Sequence, residues 1–241
     1  LLALLRSGQY RPGAQFLTER EVAERFGLSR ITANKALSAL VAAGHLEFRK
    51  GVGTFVRWEA LENDLRSLVS FTHKAAASGR QPSTRVSAFR RCRAGEIPEP
   101  VRRELEIPEG EPVLQVERVR LADGEPVIAE RRYLVARLCP GLDRRSLAGS
   151  LYAWLERTGV RVTGASQQIR AASADAELAQ ALRVAPGSAL LWVHAVGRTD
   201  VPLWVEDTFY RGDRYEFHNI LGDANPPRPA RARLWSTPST S

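Results

Sequence analysis

The stretch that decides the fold reads FLTEREVAERFGLSRITANKALSALVAAGHLEFRKGVGTFVR and spans residues 16–57. Thr18 followed by Glu21 forms a capping box, which predicts the start of a helix that Gly27 ends. Ser29 caps a second helix, in which apolar residues recur at helical spacing until Gly44. The short connection between the two helices predicts a helix-turn-helix.

A glycine-tipped hairpin follows the second helix. Residues 45–49 alternate like a strand, residues 54–56 return, and Lys50-Gly51-Val52-Gly53 forms the tip. Glycine lets a backbone approach a phosphate or enter the minor groove. An ordinary tight turn has the same composition. The order helix, turn, helix and basic hairpin nevertheless favours a winged helix-turn-helix that binds DNA.

Polar and basic side chains lie off the apolar stripe of the second helix, mostly in its first two turns. A recognition helix reads base edges with its N-terminal residues, while its N-terminus binds phosphate. A solvated helix face has the same pattern, so the helix alone leaves both interpretations open. The side chains in question are Arg30, Thr32, Asn34, Lys35 and Ser38.

The net charge of +8 is unevenly distributed along the chain. Residues 1–58 hold nine Lys/Arg and four Asp/Glu, whereas residues 59–225 hold 23 of each. The segment from Pro226 adds three Arg and no acid. This distribution is typical of a nucleic-acid reader joined to a neutral second domain.

The segments LTEREVAERFGLSRITANKALSAL and GVGTFV resemble the N-terminal domain of the GntR family of bacterial regulators. The match is close to gapless over about 40 residues. The resemblance implies that DNA is contacted by four residues of the helical part and by the wing from Lys50 to Thr54. These residues are Arg20, Ser29, Arg30 and Thr32, with Lys50, Gly51, Gly53 and Thr54 in the wing.

Two positions depart from the family pattern on the recognition helix. The family's usual second Arg is Asn34 here, and the residue after Arg30 is Ile31 rather than a polar one. Because Arg favours guanine and Asn favours adenine in the major groove, we expect a shifted operator preference. Lys35 is a further candidate for DNA contact.

Alternating patterns beyond residue 64 predict a second domain of the α+β class. We assign residues 1–58 to the winged helix-turn-helix, 59–64 to a linker, 65–222 to the second domain and 223–241 to a poorly ordered tail. A strand-dense sheet with helices on one side suits an antiparallel α+β core. Helices are predicted at 65–78, 150–157 and 175–182, and strands at 85–93, 113–121, 127–134, 164–171, 190–199 and 203–210.

Two arginines on one predicted strand indicate a ligand site. Arg118 and Arg120 are two residues apart, so they share a strand face with Leu114 and Val116. Cations beside apolar residues favour an anionic ligand, because a buried charge needs a partner. An exposed or ion-paired strand face, with Glu130 across a hairpin, would account for the same residues.

The second domain resembles the UTRA effector domain of the HutC subfamily within the GntR family, from about residue 65 to 218. The motifs that carry the resemblance are GRQPSTRV, VERVRLADGEPVIAERRYL, SLYAWLE, QQIRAASADAELAQALRVAPGSALLWV and FYRGDRY. The family fold is similar to that of chorismate lyase but binds effectors without catalysis. The resemblance implies a homodimeric repressor that leaves a palindromic operator when a small metabolite binds.

The resemblance also implies the positions that line the effector pocket. A loop pair, the two arginines and two hydroxyl groups at a helix start would hold an anionic group, and two polar residues would face the rest of the ligand. The anion-holding positions are Thr84, Arg85, Arg118, Arg120, Ser150 and Tyr152, and the other two are Glu130 and Tyr210.

One pocket position departs from the amino-sugar-binding members of the family, which carry a carboxylate where this chain has Trp204. Glu206 lies on the same strand face and is the candidate replacement. Trp204 could instead stack on a planar or sugar ring, or pack in the core. A sugar phosphate, another phosphorylated metabolite or a carboxylate such as urocanate therefore remain alternatives, as does a neutral ligand.

Enzyme, metal and membrane classes find little support in the sequence. The four His residues show no metal-ligand spacing, and no glycine-rich phosphate loop follows a strand. Cys92 and Cys139 are expected to be buried thiols in a reducing cytoplasm. No apolar run approaches the roughly 18 residues of a membrane span. We expect a cytoplasmic transcription regulator without a cofactor. A lyase-like enzyme domain is the alternative, and a nonspecific DNA binder would not need a polar pocket.

Overall fold

The structure is a computed structural model that describes residues 1–7, 9–10, 13–57, 61–64 and 71–218. Its N-terminal part contains three helices followed by an antiparallel hairpin; the second and third helices and the hairpin occur in the order predicted for a winged helix-turn-helix. The elements are α1 (Leu2–Arg6), α2 (Glu19–Phe26), α3 (Arg30–Ala42), β1 (Leu46–Arg49) and β2 (Gly53–Val56).

Side-chain caps define both helices of the helix-turn-helix. The Thr18 hydroxyl accepts from the Glu21 amide at 3.3 Å, and the Glu21 carboxylate accepts from the Thr18 amide at 2.7 Å. Gly27 ends α2 with φ of 64°, and the Ser29 hydroxyl caps α3. These contacts confirm the predicted caps. The helices and the hairpin enclose a core made of Phe16, Val22, Ala33, Leu37, Leu40 and Leu46.

The second part is built on a six-stranded antiparallel sheet in the order β4-β5-β6-β9-β8-β7. Its strands are β4 (Pro82–Arg93), β5 (Pro112–Ala122), β6 (Glu125–Val135), β7 (Gly164–Ser173), β8 (Ala189–Arg198) and β9 (Pro202–Arg211). A separate parallel pair joins β3 (Leu61–Asp64) to β10 (Tyr215–His218). The helices are α4 (Phe71–Ala77), α5 (Glu99–Glu104), α6 (Arg144–Leu147), α7 (Leu151–Arg157) and α8 (Ala176–Leu182).

The helices pack on both faces of this sheet, so the prediction of helices on one side is wrong. Leu114 and Leu134 pack against α6 and α7, whereas the adjacent Val113 and Val135 pack against α5. Helix α5 was missed because its sequence, EPVRRE, is too short and polar to show a helical period. Pro100 lies in its first turn, where the missing amide N–H costs no helical hydrogen bond.

The start of the sheet also differs from the sequence prediction. Strand β4 begins at Pro82 rather than at residue 85, because Ser83 and Thr84 pair with Leu121 and Arg120 of β5. Pro82 is tolerated as the first residue of an edge strand. The predicted linker contains β3, and residues 65–70 of the predicted first helix lie outside the described residues, as does the predicted tail.

Trp204 is fully buried against Gly197 of the neighbouring strand. A Cβ atom built on Gly197 would lie 2.1 Å from the indole ring, closer than any real contact allows. Gly197 therefore provides the space that the ring occupies, and Trp204 packs in the core cluster with Leu134 and Trp154.

Cys92 and Cys139 are both buried and unbridged, as predicted for structural thiols. Burial raises the pKa of the Cys139 thiol to about 12. None of the described helices has the length and apolar character needed to cross a membrane.

Candidate DNA-binding surface and effector pocket

The first turns of α3 present a mixed polar and apolar surface. Arg30, Thr32, Asn34 and Lys35 are all exposed. Ile31 is also 72% exposed, which is unusual for an isoleucine in a folded domain. Apolar side chains at such positions contact the methyl group of thymine. Ile31 is therefore part of the candidate DNA-binding surface.

Four of the predicted DNA contacts, Arg20, Ser29, Thr32 and Asn34, interact with other side chains or amides of the protein. The Asn34 side-chain amide donates to the Glu19 carboxylate of the preceding helix. The Arg20 Nε atom lies 3.8 Å from the Glu24 Oε1 atom. The Ser29 hydroxyl accepts from the Thr32 amide at 3.1 Å. Glu19 thus orients the Asn34 side chain, a contact that the sequence pattern did not indicate.

The wing tip is exposed at Lys50, Gly51 and Val52. Gly51 has φ of 74°, a conformation that favours glycine. The Gln15 side-chain amide donates to the Val52 carbonyl at 3.2 Å and holds the tip. Thr54, in contrast, is buried beneath the hairpin, so its predicted side-chain contact with DNA is not supported.

One face of the large sheet carries a cluster of charged side chains that are almost entirely withdrawn from water. The register sets Arg118 opposite Glu130, and Arg132 opposite Glu206, while Arg120 lies beside Arg118 on the same strand face. We call these five residues the arginine cluster. It contains three cations and two carboxylates, an excess of one positive charge.

Arg118 and Arg120 are held by carboxylate and carbonyl oxygens. Arg118 pairs with Glu130 and donates to the Leu147 carbonyl at 3.2 Å. Arg120 donates to the Thr84 hydroxyl at 2.9 Å and to the Gly149 carbonyl at 3.2 Å. The Leu147 carbonyl is at the end of α6, and the Gly149 carbonyl lies in the connection between α6 and α7. An anion at the two arginines would compete with this connection for the same N–H groups.

Electrostatics keep the cluster ionised despite its burial. Burial alone would raise the pKa of Glu130, but Arg118, Arg120 and Arg132 outweigh it and hold that pKa well below its usual value. Burial lowers the pKa of Arg118, and the Glu130 carboxylate opposes this effect. A guanidinium stays protonated in proteins, so both partners remain charged.

Arg132 belongs to this cluster although the sequence analysis did not select it. Its guanidinium pairs with Glu206 and lies 5.2 Å from the centre of the Trp204 ring. Tyr152 of α7 meets the same ring edge-on at 5.7 Å. The two-residue period from Glu130 along β6 could have revealed Arg132, because alternate residues of a strand share a face.

The remaining predicted pocket residues differ in where they point. Thr84 and Arg85 lie on a strand rather than on a loop, so their side chains point to opposite faces of the sheet. Thr84 contacts the cluster through Arg120, whereas Arg85 is exposed and faces away. The Ser150 hydroxyl caps α7 by accepting from the Ala153 amide at 3.2 Å. Tyr210 shares the cluster face and packs against Tyr215 at 4.5 Å.

A cavity of about 350 Å³ opens on the opposite face of the sheet, beside α8. Its lining includes Glu117, Glu177 and Asp207 together with Arg131 and Phe209. Five acidic residues line the cavity against two arginines, so its charge disfavours an anionic ligand; the acidic residues are Glu117, Glu130, Asp175, Glu177 and Asp207. The described residues contain no group of three or more His, Cys, Asp or Glu suited to a metal ion.

Comparison with known proteins accounts for both parts of the chain. Residues 1–56 match the family of bacterial regulatory proteins named gntR, and residues 77–216 match the UTRA domain. The chain belongs to the GntR family. It is a transcription regulator with a winged helix-turn-helix and a UTRA domain.

Several relatives are similar over most of their length. The transcriptional repressor NagR of Bacillus subtilis is 30% identical over 220 residues, which are 90% of this chain and 89% of that protein. A probable fructoselysine utilization operon repressor of Escherichia coli is 30% identical over 218 residues, 89% of this chain and 88% of that protein. The crystal structure of PhnF from Mycobacterium smegmatis has a TM-score of 0.69 at 30% identity, and the match covers 92% of this chain and 97% of PhnF.

Replacing Glu130 tests whether the cluster depends on charge balance. Glu130→Gln keeps the side-chain volume but leaves Arg118 without its anionic partner, so the free energy of unfolding should fall by about 3–5 kcal/mol. Urea denaturation of the purified protein measures this. Glu117→Gln removes a half-exposed partner of Arg131 and should cost less than about 1 kcal/mol. Equal losses in the two variants would contradict the proposed charge balance.

Proposed function

We propose that this regulator is a repressor that leaves its operator when a small anionic metabolite binds at the arginine cluster. The observation that carries the proposal is the buried excess of one positive charge, because an uncompensated buried cation favours an anionic partner. Arg118, Arg120 and Thr84 supply the donors. A sugar phosphate is the effector class we favour, and a carboxylate is the alternative.

The relatives support this effector class and a role without catalysis. One is named for the utilization of fructoselysine, a sugar derivative, and NagR and PhnF are named repressors. A lyase-like reaction is the alternative function. We infer that the chain binds its ligand and acts in the cytoplasm, where the operator is.

On DNA, a homodimer would place its two recognition helices in successive major grooves of a palindrome. Arg30, Lys35 and Ile31 would meet base edges, and Lys50 would meet a phosphate. Asn34 would favour adenine where an arginine favours guanine, so the half-site should differ from that of relatives with arginine. Selection of operators from random DNA tests this, and a guanine at that position would contradict it.

Strand β7 is the surface we propose for the second copy of the chain. It is a ten-residue edge strand, most of which is exposed, including the side chain of Ile169. Its only charged residue is Arg170. The other edge, β4, carries Arg85, Arg90, Arg91 and Arg93, which oppose pairing with an identical strand. Two β7 strands could pair around a two-fold axis and extend the sheet.

The effector would act by displacing the connection between α6 and α7. An anion that takes the N–H groups of Arg118 and Arg120 replaces the Leu147 and Gly149 carbonyls. The Arg120 guanidinium carbon also lies 5.7 Å from the centre of the Phe71 ring in α4. A movement of Arg120 would therefore affect α4, which follows the DNA-binding domain in sequence. The effector must bind one state better, and operator binding then weakens effector binding by the same factor.

The DNA-binding model predicts different effects for the helix and the wing. Arg30→Ala should lower operator affinity by about 1–3 kcal/mol and reduce specificity. Lys50→Ala should weaken binding to all sequences and reduce the slope of log K against log salt by about one. Fluorescence anisotropy with operator and random DNA measures both. Arg145→Ala, an exposed cation of the effector domain, is the control, and an unchanged affinity for Arg30→Ala would refute the docking.

The dimer model predicts that a charge on β7 prevents association. Ile169→Glu should weaken the dimer by about tenfold or more, because each interface would bring two carboxylates together. Sedimentation equilibrium measures the dissociation constant. Arg91→Glu, on the opposite edge, should leave it unchanged. A monomeric wild type, or dissociation only in the β4 variant, would contradict this surface.

The effector model predicts stabilisation by anions through Arg120. Sugar phosphates, amino-sugar phosphates, phosphonates and small carboxylates should be screened by thermal shift, and each hit tested for release of operator. Arg120→Lys keeps the positive charge but loses the planar set of guanidinium N–H donors, so the affinity for the anion should fall about tenfold. Arg131→Lys, on the opposite face of β6, is the control. If no anion raises Tm, the effector class is wrong.

A further inference from the structure

The cavity beside α8 lies on the face of the sheet opposite the arginine cluster and is separate from the proposed effector pocket. Its volume of about 350 Å³ is in the range of small-molecule binding sites. The sheet forms its floor and α8 forms one wall. Its apolar lining consists of Val119, Ala129, Leu178, Ala181, Trp192 and Phe209.

Two aromatic rings in the floor of this cavity are only partly covered by the protein. Trp192 of β8 stands directly opposite Phe209 of β9, and both side chains are half-buried. Directly opposed residues on one sheet face lie next to each other, so the two rings form one apolar surface. The Arg170 guanidinium carbon lies 5.4 Å from the centre of the Trp192 ring, which shows that this ring accepts a cation.

A row of charged residues crosses the floor from β5 to β9. The register places Arg131 of β6 between Glu117 of β5 and Asp207 of β9. The Arg131 Nε atom lies 2.8 Å from the Glu117 Oε1 atom, and its Nη2 atom lies 3.8 Å from Glu177 of α8. Among the described residues, Arg131 forms its ion pairs with these two carboxylates and none with Asp207. Asp207 is thus left without a guanidinium partner.

Two donors from β8 hold the Asp207 carboxylate in place. The Trp192 indole N–H donates to the Asp207 Oδ1 atom at 2.8 Å, and the His194 Nδ1 atom lies 2.9 Å from the same oxygen. The other oxygen, Oδ2, has no hydrogen bond within the part of the chain that the structure describes. A carboxylate accepts at both oxygens, so Oδ2 is an available acceptor in a fixed position.

The charge of the cavity favours a cation at this oxygen. Its five acidic residues exceed its two arginines by three charges. Arg170, which covers Trp192, lowers this excess to two, and a proton on His194 is offset by Glu104, 2.9 Å from its Nε2 atom. Acidic surfaces are common, but here the excess charge lies beside an apolar floor, where a lower local dielectric strengthens the attraction for a cation.

We propose that this cavity binds a small organic cation, in which a protonated amine donates to Oδ2 of Asp207 and an attached flat apolar group covers Trp192 and Phe209. It would be a second ligand site of the regulator, on the other side of the sheet from the arginine cluster. An anion of the same shape would meet the excess negative charge, and an amine without the apolar group would leave both rings uncovered. The ligand class therefore has two requirements, a positive charge and a flat apolar body.

Matched probes test the two requirements by NMR titration of the isotope-labelled full chain. Phenethylamine meets both, hydrocinnamate has the same ring with a negative charge, and ethylamine lacks the ring. Phenethylamine should bind about tenfold more tightly than either, because only this probe gains both the charged hydrogen bond and the ring contact. It should also shift the indole N–H signal of Trp192, which is identified by its loss in Trp192→Phe. Equal affinity for phenethylamine and hydrocinnamate, no binding, or an unmoved Trp192 signal would overturn the proposal.

Three variants locate the bound amine. Asp207→Asn keeps an oxygen for the Trp192 indole N–H but removes the charge, and should weaken phenethylamine about tenfold. Ala181→Phe fills the cavity without changing its charge and should abolish binding, which tests the site even if the first variant unfolds. Glu156→Gln removes an exposed carboxylate of α7, on the other side of the sheet, and is the matched control. An equal loss in Asp207→Asn and Glu156→Gln, or full affinity in Ala181→Phe, would show that the amine binds elsewhere.

Discussion

The Arg118–Glu130 ion pair is enclosed between the sheet and the α6–α7 connection, and the effector domain is arranged around it. Moving two charges out of water is unfavourable unless the protein supplies matching partners for their remaining donors and acceptors. The Leu147 carbonyl is one such partner, which ties a loop to the centre of the sheet. The same bond makes this loop sensitive to any ligand that binds Arg118.

In the N-terminal domain, by contrast, the candidate DNA-binding charges are exposed to water. Side-chain caps and a small apolar core define the helices, so Arg30, Lys35 and Lys50 need no partner in order to stay exposed. Their charges act over a distance set by salt, which suits contact with phosphates. Under the proposed function, one chain uses exposed cations to bind a polyanion and buried cations to select a small ligand.

Residue spacing predicted the parts of the structure that depend on local patterns. The capping box of Thr18 and Glu21, the recognition helix and the shared face of Arg118 and Arg120 follow from caps and from the two-residue period of strands. What depends on distant partners was not predictable. Thr84 lies on a strand because Arg120 is its neighbour across the sheet, and Glu19 holds Asn34 from another helix. Arg132 can be buried because it pairs with Glu206, which lies far along the chain.

The position of the cluster relative to the chain's connections explains how a small ligand can influence a distant DNA surface. Tyr210 follows Thr208 on the same face of β9 and packs on Tyr215 of β10. In the turn between β9 and β10, the Arg214 carbonyl accepts a hydrogen bond from the Leu61 amide. Leu61 is the first residue of β3, which follows the DNA-binding domain in sequence. Because packed cores shift between discrete arrangements rather than deform continuously, a change at Arg120 or Thr208 would be passed to this strand as a whole. We therefore propose that the parallel pair of β3 and β10 links effector binding to the spacing of the recognition helices.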